Sequence, residues 1–108
     1  MWNIPSKETL ANIPKLYATE SIPLKDKLIY LHFFIGGCDW YVAEFDGEDL
    51  FFGYADLNDQ RYAEWGYFGL SDLLDVKIDG WLEVDCEINW NIKKASEIDH
   101  IKTGKDGL

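Results

Sequence analysis

The amino-acid pattern predicts an α+β domain: an antiparallel sheet of about five strands, a meander plus a long C-terminal strand, with short helices packed on one face or end. Three observations carry this. Apolar runs of strand length are separated by turn signals at Gly36-Gly37, Asp46-Gly47 and Leu57-Asn58-Asp59. Residues 82–92 alternate apolar and polar without a break. Helical signals, by contrast, are confined to short stretches near 7–12, 72–76 and 95–98.

At the N-terminus, Ser6 caps a short helix over 7–12 with Leu10 and Ile13 facing the core. Pro14 ends it, because a proline pushes the preceding residue out of the helical region. Residues 15–27 read as an extended, loop-rich arm. The run 28–35 is β-branched and aromatic almost throughout, and it stops at Gly36-Gly37. That pair suits a hairpin because both glycines accept positive φ. The return strand covers 38–45, a third strand 50–55 and a fourth 62–68. Ser71 then reads as the N-cap of a helix over 72–76, with Asp72 favourable to its dipole, and Asp79-Gly80 closes the segment. Leu82, Val84, Cys86, Ile88, Trp90 and Ile92 alternate with Glu83, Asp85, Glu87, Asn89 and Asn91. This is the signature of a long strand with one buried and one wet face. The expected layout is one domain over 1–108: a helix and arm over 1–27, a sheet core over 28–92, and a loose tail over 102–108.

With 108 residues the chain has room for a single core. Its 5 Trp, 6 Tyr and 6 Phe make it too apolar for disorder. A net charge of −10 disfavours direct nucleic-acid binding and docking on an anionic membrane. There is neither an 18-residue apolar run nor a signal-like start, so a soluble, cytoplasmic protein is expected. Cys38 and Cys86 lack zinc or Cys-x-x-Cys spacing and read as reduced, buried thiols.

The charge is unevenly placed. Residues 1–38 and 88–108 each carry four basic and three acidic side chains, whereas 39–87 carry 14 acidic and two basic ones. Glu44, Asp46, Glu48 and Asp49 crowd one turn, and Glu83, Asp85 and Glu87 would form a row on the wet face of the last strand. Such carboxylates either keep an aromatic-rich domain soluble or face a basic partner. Regularly spaced, they imitate nucleic-acid phosphates. The turn offers a second chemistry: Glu44, Asp46, Glu48 and Asp49 converging on Mg²⁺ or Mn²⁺ for phosphodiester cleavage. His32 reads as a core histidine satisfied by a backbone or carboxylate partner, with a catalytic base as the alternative. His100 reads as exposed and idle. The 13 aromatics between Tyr30 and Phe68 exceed what short helices cover, so some are expected to line a groove or interface.

The stretches 16–20, 40–54 and 64–74 resemble the family catalogued as domain of unknown function 2958, over most of residues 10–98. Gly69-Leu-Ser-Asp-Leu73 departs mildly from the family's usual Ser-Leu-Ser-Glu-Leu. The resemblance implies a small protein of bacteria, plasmids and phages. Some members carry a label of single-stranded DNA endonuclease, which would make Glu44, Asp46, Glu48 and Asp49 metal ligands.

The residues favour a non-enzymatic, acidic protein-binding module; the mobile-element setting, and with it the inhibition of host machinery, is what the resemblance implies by analogy with other small acidic proteins of phages and plasmids. Such a module would inhibit a host defence or DNA-handling protein, such as a CRISPR effector, by covering its basic surface. Glu83, Asp85 and Glu87 form the expected contact, with Asp46, Glu48 and Asp49 as a second patch. No cofactor is expected in that case. The alternatives are the metal-dependent nuclease and a homodimeric structural protein.

Overall fold

The computed structural model describes residues 1–102. Helix α1 (Lys7–Ala11) is capped by Ser6, whose hydroxyl accepts from the Thr9 amide at 3.1 Å. Strands β1 (Leu28–Ile29), β2 (Leu31–Ile35), β3 (Cys38–Phe45), β4 (Leu50–Leu57) and β5 (Glu64–Gly69) follow, then α2 (Leu70–Asp75). Strands β6 (Lys77–Ile78), β7 (Leu82–Glu83), β8 (Asp85–Cys86) and β9 (Lys93–Lys94) precede α3 (Asp99–Lys102). The main sheet is antiparallel in the order β5-β4-β3-β2-β8, flanked by the two-stranded pairs β1-β9 and β6-β7.

The expected α+β architecture is therefore present, with covering elements on both faces rather than one. On one face Leu31, Phe33, Ile35, Trp40, Val42 and Phe51 pack under Ile13, Leu73 and Val84. On the other, Ile29, Tyr41, Ala43 and Tyr54 pack under Ala95, Ile98 and Ile101. Seven of the eight β3 residues are buried, which is why that strand reads as nearly continuous in hydrophobicity. Burying a side chain such as Phe33 or Phe51 contributes about 1.5–3 kcal/mol.

A bulge between Val42 and Glu44 shifts the β3-β4 register. Gly53 lies opposite Val42, where a Cβ would fall 1.9 Å from the Tyr41 carbonyl oxygen. Only glycine fits there. At the first hairpin Gly36 takes φ +54°, while Gly37 keeps an ordinary φ with Asn58 lying against it.

The long C-terminal strand over 82–92 does not form. Leu82–Glu83 pairs with β6, Asp85–Cys86 pairs with β2, and the chain then leaves the sheet. Val84 and Cys86 are buried, but Ile88 and Ile92 are 72% and 53% exposed, so the alternation does not mark one continuous buried face. Trp90 instead turns its indole N–H onto the Ile29 carbonyl at 2.9 Å.

Smaller corrections concern element ends. The run 28–35 is split at Tyr30, and the fourth strand begins at Glu64 after a 3-10 turn over Gln60–Tyr62. The arm 15–27 is a series of turns (Ala18 to Lys15, Glu20 to Tyr17, Ile22 to Thr19) ending in the 3-10 turn Leu24–Asp26, not extended chain. Of the expected tail over 102–108, all but Lys102 lies outside the described residues. Both cysteines are free thiols, Cys86 buried and Cys38 half-buried.

Candidate functional site

The acidic turn does not assemble a metal centre. Asp46 Oδ1 accepts the Glu48, Asp49 and Leu50 amides at 2.7, 2.8 and 3.0 Å, closing the turn on itself. Those hydrogen bonds, with the charge of Lys15, hold its carboxyl below the usual carboxylate range. Asp49 turns toward α2, where its Oδ1 accepts the Ser71 amide at 2.7 Å and its Oδ2 the Ser71 hydroxyl at 3.0 Å. Asp49 thus takes the capping role expected of Ser71, and the residue at the N-cap position is Gly69. Glu44 points the other way, buried, and Glu48 stays exposed. Among the described residues, no group of three or more His, Cys, Asp and Glu side chains is arranged to hold a metal ion.

Glu83, Asp85 and Glu87 are likewise drawn to three different partners, since no single strand carries them. Glu83 pairs with the Met1 ammonium, which lowers the Glu83 pKa by that hydrogen bond and charge. Asp85 accepts the Asn3 amide at 2.7 Å and its side-chain NH₂ at 3.0 Å. Glu87 meets His32. The N-terminal segment is thereby clamped to the sheet edge, leaving Trp2 and Ile4 exposed.

Two other constellations emerge. The first is a pocket of about 410 Å³ between the turns of 15–27 and the sheet. At its base Lys27 and Glu44, both buried, face each other at 3.9 Å. Glu44 accepts the Tyr17 and Thr19 amides at 2.9 and 3.1 Å and also the Thr19 hydroxyl. Lys27 donates to the Thr19 carbonyl and, at 2.8 Å, to its hydroxyl. This network holds Tyr17 at φ +68°, an uncommon conformation for a bulky residue. Tyr17, Phe52 and Tyr67 wall the pocket, and Glu20 stands among its lining residues. The Tyr67 phenol is raised in pKa, first by hydrogen bonding to Tyr17, then by burial and the nearby charges, Glu44 and Glu20 among them.

The second is a chain of alternating carboxylates and imidazoles. His32 Nδ1 meets Glu87 at 2.8 Å and its Nε2 meets Asp39 at 2.7 Å. Asp39 also faces His100 Nδ1 at 3.2 Å, and His100 lies 3.7 Å from Asp56. Asp39 and Asp56 are cross-strand neighbours, and both are buried. Both His32 nitrogens donate at once only in the imidazolium form. Burial alone would lower the His32 pKa, but the hydrogen bonds and charges of Asp39 and Glu87 outweigh it, and the value is raised. His32 accordingly has the carboxylate partners expected for a core histidine. His100 is not idle: α3 brings it to the two aspartates.

Burial pushes the Cys86 thiol up to about 11, with Asp85 and Glu87 adding to it, and the Cys38 thiol rises for the same kind of reason. Neither has the electropositive setting of a nucleophilic cysteine.

Glu20, Lys27, Asp39 and Asp56 were not singled out by sequence. For Lys27, Asp39 and Asp56 the signal present was a charged residue beside or within an apolar strand run, which demands a buried partner, whereas exposed Glu20 gave no such signal.

The fold and these sites define a small α+β domain with an acidic surface, an aromatic-walled pocket and internal charge chains. The chain belongs to the family described as Protein of unknown function (DUF2958), whose model matches residues 10–99. No curated protein and no solved structure matches it.

Proposed function

We propose that the chain is an acidic protein-binding module of a mobile element. In this reading it is an inhibitor acting in the cytoplasm, covering the basic nucleic-acid-binding surface of a host defence or DNA-handling protein such as a CRISPR effector. The observation supporting it is the coincidence of uncompensated charge with exposed apolar side chains. Residues 39–87 hold 14 acidic against two basic groups. Within that same segment Leu57, Tyr62, Tyr67 and Trp81 are 61%, 70%, 51% and 67% exposed. Large aromatics supply desolvated anchors in protein interfaces, and surrounding charge steers the encounter.

Of the carboxylates expected at the contact, Glu48 and Glu87 remain exposed, while Asp46, Asp49, Glu83 and Asp85 also hold the local structure. The nuclease alternative gains nothing from the turn's geometry, because its carboxylates are directed to separate tasks. No Mg²⁺ or Mn²⁺ enters the reading.

The test is binding of the purified partner between about 50 and 300 mM salt. Affinity falls steeply with salt, and the exposed-site variant Glu48→Lys/Glu64→Lys/Asp75→Lys slows association at least tenfold at the low end. Binding indifferent to both changes contradicts the reading.

A further inference from the structure

The pocket beneath Tyr17 combines ring faces with carboxylates, and we propose that it receives the guanidinium of an arginine side chain from the partner's basic surface. This deepens the protein-binding reading and rests on it.

The geometry is that of a cation cage. Phe52 forms an inner wall, with its ring centroid 5.2 Å from that of Tyr67 and inclined at 56°. Trp65, stacked on Phe52 at 5.9 Å, fixes that wall from the sheet. Aromatic faces attract cations within about 6 Å of the ring centroid. Lys27 Nζ lies 6.0 Å from the Phe52 centroid, at the outer limit of that range, and is held at the base by Glu44 and Thr19, so an incoming cation takes the open side of the ring toward Tyr67.

Charge complementarity selects the occupant. Glu20, Glu44 and Lys27 are the charged residues lining the pocket, giving a net charge of −1. Glu44 is matched by Lys27 at the base, whereas Glu20 makes no ion pair among the described residues. A cation entering over the rings therefore meets an uncommitted carboxylate. The pocket's 410 Å³ falls within the roughly 300–1,000 Å³ range of ligand sites. Ile22, Pro23 and Leu24 on its border offer an apolar track for a methylene stem. Guanidinium fits better than ammonium because it is planar, weakly hydrated and stacks on rings while binding a carboxylate. The left-handed backbone at Tyr17, held by Glu44, fixes the main chain of this lining residue before any partner arrives.

The test is an NMR titration of protein labelled with ¹³C at its aromatic side chains. The probes are acetyl-Gly-Arg-Gly-amide and its citrulline and lysine counterparts. The arginine peptide gives saturable shifts at Tyr17, Phe52 and Tyr67 with a Kd of about 1–10 mM, as suits one side chain. The citrulline and lysine peptides bind at least fivefold more weakly. Glu20→Gln, at an exposed position, weakens the arginine peptide about three- to fivefold without changing the melting temperature. Equal binding of the citrulline or lysine peptide, or shifts confined to other residues, overturns the assignment. A null titration beside a salt-sensitive partner complex overturns the pocket and leaves the acidic module standing. A saturable arginine titration with no salt-sensitive partner removes the module and leaves the pocket.

Discussion

At the scale of single residues, His32 shows how a strand histidine becomes a charge junction. Its ring stacks on Tyr41 at 4.6 Å with 5° between planes, so an imidazolium there faces a ring as well as two carboxylates. The groups around it come from every packed element: Asp39 on β3, Glu87 after β8, and His100 on α3 sharing Asp39. Because the folded pKa is raised above the ordinary 6.5, the folded chain holds the proton more tightly than the unfolded one. The His32 contribution is thus full below about pH 6.5 and is lost as pH rises through the raised value. The difference in urea midpoint between the native chain and His32→Asn is expected to be largest near pH 6 and smaller near pH 9. A difference that grows with pH would contradict the charge assignment. Sequence exposed the histidine and its need for a partner. It did not expose Asp39, Asp56 or His100, because those contacts are made across strands and by the C-terminal helix.

At the scale of elements, most of the fold follows from local pattern. Turn residues and apolar runs located β2, β3, β4 and β5 closely, since each hairpin is decided by its own turn and its own two strands. What failed was the alternation over 82–92. Alternation reports that every second residue seeks cover, not which element supplies it. Here β2 pairs through Phe33 and Phe34 with Cys86 and Asp85, Leu82 and Glu83 pair with β6 instead, and beyond Glu87 the chain leaves the sheet, with Trp90 turned to Ile29 and Ile88 and Ile92 to solvent. The acidic turn was legible as a turn, but the use of its carboxylates was not, because Asp49 caps a helix 22 residues further on. The bulge in β3 leads to a sharp test at the β3-β4 contact. Gly53→Ala forces a Cβ onto the Tyr41 carbonyl and is expected to destabilise by about 3 kcal/mol or more in chemical denaturation. Gly66→Ala, where nothing lies within 4 Å, is expected to stay within about 1 kcal/mol of the native chain. Equal effects at the two glycines would remove the close approach from the account.

At the scale of the molecule, charge and exposed apolar surface belong to the same segment. Much of the acidity that looked free in sequence is spent internally: Asp46 on its turn, Asp49 on α2, Glu83 on the N-terminus, Asp85 on Asn3 and Glu44 on Lys27. What remains exposed, Glu48, Glu64, Asp72, Asp75, Asp79 and Glu87, still outnumbers the exposed Arg61 and Lys77 of that segment. No helix among the described residues is long and apolar enough to cross a membrane. Like charges of this density repel, and in the proposed reading a cationic partner surface is what screens them. The most direct measurement is affinity capture by the tagged protein from its host's lysate, with stepwise salt elution and mass spectrometry. The account predicts a stoichiometric, basic nucleic-acid-handling protein released by salt. A bait that yields no stoichiometric partner, or one whose partner stays bound through the salt steps, would contradict it.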